Sequence, residues 1–183
     1  MPGSVPPKVA PGTPHDGRQL GWGVHRVVAR LLAANKRRPS AGEILESVVL
    51  DPTLAEPHVY GLAARQRLIT ATAVYFRLFA PGPEWQFLDR EVPVGRRSLD
   101  LVFEHARAGV RADELKSATG HSLLGSEELD EQLSDELAGG KRRYGDRFAG
   151  VRVVLLGAPS QSFLARPDAS RVPLTEEGTP WRI

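Results

Sequence analysis

The stretch "RSLDLVFEHARAGVRADELKSATG", residues 97–120, contains two strand-like runs separated by "HARAG", which reads as a hairpin loop. The first run carries Asp100 and the second carries Glu114 and Lys116. Residues two apart on a strand share a face, so Glu114 and Lys116 project together, Leu115 points to the other side, and Asp113 faces away from Glu114. Asp100 sits on the neighbouring strand of the hairpin, where pairing can bring it towards the same face, but the sequence does not fix the register. The neighbouring residues look buried, and charges placed among them need partners to offset their desolvation. The alternative is an exposed cross-strand ion network, which adds little stability.

The rest of the chain extends this hairpin in both directions. Upstream, "EWQFLDREVPV" is a further short strand, bounded by "APGP" and a Gly-Arg-Arg turn. Before it, a long helix is expected to follow Pro57, with Val59, Leu62, Ala63, Ile69, Ala73 and Phe76 lining one side. Its other side is also largely apolar, which points to burial. "GWGVHRVVARLLAANKRRP" predicts an earlier helix with Val24, Val27, Val28, Leu31 and Leu32 at helical spacing, closed by its basic end and Pro39. "SAGEILESVVL" predicts a short helix capped by Ser40. Downstream, "SEELDEQLSDELA" is a helix starting on Ser126, with acids in its first turn and Leu129, Leu133 and Leu137 at a spacing of four. Gly139 and Gly140 are expected to break or bend it. "VRVVLLGAP" is a nearly continuous apolar run, as in a strand buried on both faces.

The expected organisation is a Pro- and Gly-rich flexible arm (1–18), an N-terminal helical segment (19–53), an α/β core (54–164) and a tail (165–183) pinned by Trp181. The 183 residues, 41% hydrophobic, are enough for one sizeable core, and no internal repeat is visible. With 24 basic against 22 acidic residues the net charge is only +2, so any nucleic-acid-binding surface must be local. The chain has no cysteine, which excludes disulfides, zinc-finger sites and cysteine nucleophiles, and fits a reducing compartment. The N-terminus lacks an apolar signal core and no run approaches a membrane span, so the expectation is a cytoplasmic protein without membrane contact.

Two carboxylates and an amine over one patch of sheet suit Mg²⁺ or Mn²⁺, hard cations that take oxygen ligands and complete their shells with water and substrate phosphate. Such an ion polarises a phosphoryl oxygen and acidifies a bound water, while an ammonium nearby orients that water or stabilises developing charge. The set is suited to phosphodiester hydrolysis. The order helix, three strands, helix, strand, with "SLD" on the second strand and "ELK" on the third, resembles the PD-(D/E)xK nuclease superfamily, which includes restriction endonucleases, Holliday-junction resolvases and RecB-like exonucleases.

The resemblance covers roughly residues 54–160. It implies an α/β fold with a restriction-endonuclease-like core, a central mixed sheet of about four strands flanked by helices, and extra N-terminal helices. It further implies that Asp100 and Glu114 are metal ligands and Lys116 the catalytic lysine, with DNA as substrate. Many members add an acid from the preceding helix, for which Glu56 is the best placed, with Glu46 or Glu43 behind it; Glu56 also suits a helix N-terminus electrostatically. No Pro precedes Asp100, and the RecB-like Gln-x-x-x-Tyr signature is not reproduced, since Gln132 is followed four residues on by Glu136.

Gln132 is placed to line the site from the following helix. Arg96 and Arg97, and the run Lys141, Arg142, Arg143 and Tyr144, flank the site in sequence and suit backbone phosphates and a stacked base. Solvated loops and a buried tyrosine account for the same residues. His25 and His121 belong to no metal-spaced pair and default to structural or exposed roles. The rival function is DNA binding without catalysis: residues 22–70 have the look of a helix-turn-helix, with Arg65 and Arg67 on the reader. A degenerate nuclease fold used as a partner-binding subunit is a third reading. In the nuclease reading little chain is left for a separate recognition domain, so a second subunit or a targeting partner is expected.

Overall fold

The computed structural model describes residues 15–55, 61–117 and 124–174. Glu56, Pro57, Val59, His121 and Trp181 lie outside the described residues. In chain order the elements are α1 (His15–Ala33), α2 (Ala41–Val49), α3 (Pro52–Ala55), α4 (Leu62–Leu78), β1 (Gln86–Pro93), β2 (Ser98–His105), β3 (Gly109–Lys116), α5 (Glu127–Tyr144), β4 (Phe148–Leu155), β5 (Phe163–Ala165) and β6 (Arg171–Pro173). They form a mixed α/β fold around one six-stranded sheet in the order β1-β2-β3-β4-β5-β6. Only β3 and β4 are parallel among the described strands; the other neighbours run antiparallel. Among the described residues, no helix is long and apolar enough to cross a membrane.

Two expectations about extent are corrected. The sheet has six strands and not four, because β5 and β6 form within and beyond the stretch expected to close the core and trail off. Each is three residues long, too short to show alternation. At the other end, α1 starts at His15, inside the expected arm.

The sheet is covered on both sides. On one face α1, α2 and α4 bury Val24, Val28, Ile44, Leu68 and Phe76 against Leu101, Phe103 and Leu115. On the other, Leu129, Leu133 and Leu137 of α5 meet Val102, Ala112, Val151 and Val153. β4 lies between the layers and is buried almost throughout, as its apolar run implies. α1 is stopped before Pro39 by Asn35, whose φ of 56° permits the paired bonds Asn35 N–H to Leu32 O and Lys36 N–H to Leu31 O. Ser40 and Glu43 form a reciprocal capping box at the start of α2.

α4 buries only part of the side expected of it: Phe76 is buried and Ile69 packs against the core, but the buried face is turned towards Leu68, Thr72 and Tyr75. Leu68, Thr72, Tyr75 and Phe76 face the core, while Leu62 is 86% exposed and Ala63, Gln66, Arg67, Thr70 and Ala73 are open to solvent. The tie is polar: Tyr75 Oη–H donates to Asp113 Oδ2 at 2.8 Å, and Arg152 Nε donates to Asp113 Oδ1 at 2.8 Å. Arg152 Nη2 donates both to Asp113 Oδ2 and to the Phe79 carbonyl, the latter at 2.6 Å. All three side chains are buried, so an acid of β3, a base of β4 and a phenol of α4 are hydrogen-bonded to one another inside the helical layer.

The glycine pair of α5 is also corrected. The helix runs unbroken through Gly139 and Gly140 to Tyr144. A Cβ on Gly139 would run into the Val94 carbonyl oxygen, and one on Gly140 into the Phe148 ring. These glycines allow contact between backbones and ring; they do not end a helix. On an open helix face Gly→Ala stabilises by about 1 kcal/mol, whereas here overpacking of about 1–3 kcal/mol outweighs it. Gly139→Ala is therefore expected to lower the melting temperature, and an unchanged or raised value in a thermal melt would remove the packing explanation.

Candidate active site

β2 and β3 pair only as far as Leu101 opposite Asp113. Beyond that point the Leu115 N–H is donated to Asp100 Oδ2 at 3.0 Å, so a carboxylate takes up a bond the ladder no longer offers. His25, on the face of α1 turned to the sheet, brings Nε2 to 3.1 Å from the Leu115 carbonyl oxygen and 3.2 Å from Asp100 Oδ2. Both are acceptors, so Nε2 is the nitrogen that carries the hydrogen.

On the α5 side, Lys116 Nζ lies 2.8 Å from Glu114 Oε1 and donates to Gln132 Oε1 at 2.9 Å. Gln132 Nε2 donates to Glu114 Oε1 at 2.7 Å and to Glu136 Oε1 at 2.6 Å. The amide thus holds the ammonium with its oxygen and two carboxylates with its nitrogen.

The cluster has more acid than base. Burial, and then the charge of Glu114, hold the Asp100 carboxyl well above the usual carboxylate range. The same two causes push Glu136, which is fully buried, up to about 8. Burial lowers His25. Glu114 is 4% exposed, and its Oε2 has no hydrogen-bond partner among the described residues. A buried carboxylate oxygen without a donor is a place for a proton or a cation.

Among the described residues, no three His, Asp or Glu side chains form a ready-made metal cage. Mg²⁺ seldom has one; it is held by one or two carboxylates together with water and substrate phosphate. Asp100, Glu114 Oε2 and the Leu115 carbonyl oxygen offer the hard donors such an ion takes, so the residues present fit it.

As the spacing predicts, Glu114 and Lys116 share one face of β3 and Asp113 takes the other; Gln132 of α5 bonds to Glu114 and Lys116. Two members were missed. His25 was set aside as structural, yet it interrupts an apolar stripe at the point where α1 meets the sheet end. Glu136 stands seven residues after Leu129 and four after Gln132, and an acid on the apolar side of a helix was the signal that could have found it. Glu43 is engaged in its capping box and an ion pair with Lys36, away from this role. Glu46 is solvent-exposed on α2.

The two basic clusters meet. The close approach of Gly139 to Val94 sets the β1–β2 turn beside α5, with Arg142 next to Gly95 and Arg97 Nε 3.9 Å from Asp135. Arg96, Arg97, Arg142 and Arg143 are exposed, and Lys141 pairs with Asp146 at 2.5 Å. Tyr144 does not offer a free ring: it stacks on Phe148, with centroids 6.1 Å apart and planes at 18°.

No protein-family model, curated protein or solved structure matches the chain.

Proposed function

We propose that this chain is a metal-dependent nuclease that hydrolyses phosphodiester bonds in DNA, built on a restriction-endonuclease-like core extended by β5 and β6. The reading is supported by the succession α4, β1, β2, β3, α5, β4, in which β3 and β4 are parallel and Asp100, Glu114 and Lys116 sit at one sheet end. The observation that carries it is Lys116 Nζ, held between Glu114 and Gln132 beside a buried carboxylate oxygen that lacks a donor.

Asp100, Glu114 and the Leu115 carbonyl would hold Mg²⁺ or Mn²⁺. When bound, the ion supplies Lewis acidity at the phosphoryl oxygen and a water of lowered pKa. The chain's own residues do the positioning. Gln132 fixes the Lys116 ammonium, which orients the attacking water or meets the negative charge that builds on the phosphate. His25 steadies Asp100 and the Leu115 carbonyl. Arg96, Arg97, Arg142 and Arg143 form a basic rim suited to backbone phosphates, which positions DNA without reading its sequence.

The test is incubation of the purified protein with plasmid, linear, single-stranded and branched DNA. Cleavage is expected to vanish in EDTA and return with Mg²⁺ or Mn²⁺, with Ca²⁺ supporting binding but not turnover. Cleavage that persists in EDTA, or none on any substrate with Mn²⁺, would sink the proposal.

A further inference from the structure

A groove of about 700 Å³ lies between the exposed N-terminal half of α4 and the neighbouring part of α1, and the catalytic cluster makes no use of it. Its apolar lining is Leu20, Ala63, Ala71, Val74 and Leu156. Among the described residues its hydrogen-bonding groups are Gln66, Thr70 and Ser117, and its one charged residue is Arg67.

Three features give the groove a direction. It opens at Ser117 and Gly157, just past the ends of β3 and β4, and in α/β sheets ligands gather at the carboxyl ends of parallel strands. Ser117 directly follows Lys116, and a Cβ on Gly21, four residues before His25, would lie 3.6 Å from Ser117 Oγ. The groove therefore begins where the catalytic cluster ends. Among the described residues its charge is also of one sign, since Arg67 is the charged side chain that lines it.

An apolar slot with amide and hydroxyl groups at its side and a cation beside them matches one nucleotide; its volume lies within the roughly 300–1,000 Å³ of small-ligand sites. We propose that this groove seats the unpaired base of the nucleotide next to the scissile phosphodiester, with its edge towards Gln66 and Thr70 and its outer phosphate towards Arg67. The assignment rests on the nuclease reading for which bond is cut, but not for whether the groove binds a base.

Thr70 is exposed, so Thr70→Trp fills the groove from a solvated helix position without entering the core. Binding of a short labelled oligothymidylate, followed by fluorescence anisotropy in Ca²⁺, is expected to weaken about tenfold in Thr70→Trp, because the indole occupies the space the base would take. Arg67→Gln should weaken it less and flatten its salt dependence. A single abasic residue moved along the strand should reveal one position whose loss weakens wild type by a similar factor and leaves Thr70→Trp unchanged.

If wild type and Thr70→Trp bind alike, or if no abasic position matters, the groove holds no base. Groove-dependent binding by a protein that cuts no DNA would overturn the nuclease reading and leave this one standing. Cleavage unaltered in Thr70→Trp, with unaltered binding, would do the reverse. No binding of the probe to wild type overturns the groove.

Discussion

Lys116→Ala is expected to slow DNA cleavage by about 100- to 1,000-fold, the loss seen when one preorganised charge-stabilising group is removed from an active site. Binding in Ca²⁺ should change little. An ammonium that acts on developing charge contributes to the chemical step and hardly to ground-state affinity. The structure adds a condition: Lys116 also neutralises Glu114 and anchors Gln132, so its removal leaves a buried carboxylate short of a cation. Gln132→Ala should therefore give a milder loss, since the ammonium remains but is no longer held. Single-turnover rates and binding constants for wild type, Lys116→Ala, Gln132→Ala and Glu114→Gln on one substrate, with circular dichroism to verify folding, settle the order. Equal rates in all four would place the activity elsewhere than at this cluster.

The largest effect on stability is expected from Arg152→Met. Arg152 and Asp113 are buried together, and removing one partner leaves an uncompensated charge at a cost of about 3–5 kcal/mol. A domain of ordinary stability has only about 5–15 kcal/mol in total. Tyr75→Phe, which removes one donor from the same carboxylate, should cost about 1 kcal/mol. The double variant Asp113→Leu, Arg152→Met leaves no charge unpaired and should recover most of the loss. Urea unfolding of the four proteins measures this. An Arg152→Met variant within about 1 kcal/mol of wild type would mean that water reaches Asp113.

The hairpin and the faces of Asp113, Glu114 and Lys116 were readable because their signals are local: alternation along one strand gives the face of each, and "HARAG" is too short for anything but a reversal, whereas the place of Asp100 depends on a register the sequence does not fix. α5 and β4 were readable for similar reasons of spacing and apolar run length. What escaped depends on contacts between distant segments. Gly139 and Gly140 look like helix breakers until Val94 and Phe148 are seen against them. Arg152 sits in an apolar run that gives no hint of an acid on the next strand and a phenol on a helix behind it. The face of α4 was misjudged because apolar residues surround it, leaving no stripe to choose. His25 and Glu136 were missed because polar residues on apolar helix stripes are usually satisfied singly in the core; only the splayed end of β2 and β3 gives these two a common purpose.

β3 carries acids in succession, Asp113 turned to the layer of α1 and α4 and Glu114 to that of α5. A slip of one residue against β4 would exchange them. Asp113 would then leave Arg152 and Tyr75, Glu114 would be driven among apolar helices, and both carboxylates would lose their cations at once. Each alternative alignment of the central strand is thus penalised on both faces, and the register that brings Glu114 to Lys116 and Gln132 is the same one that pairs Asp113 with Arg152.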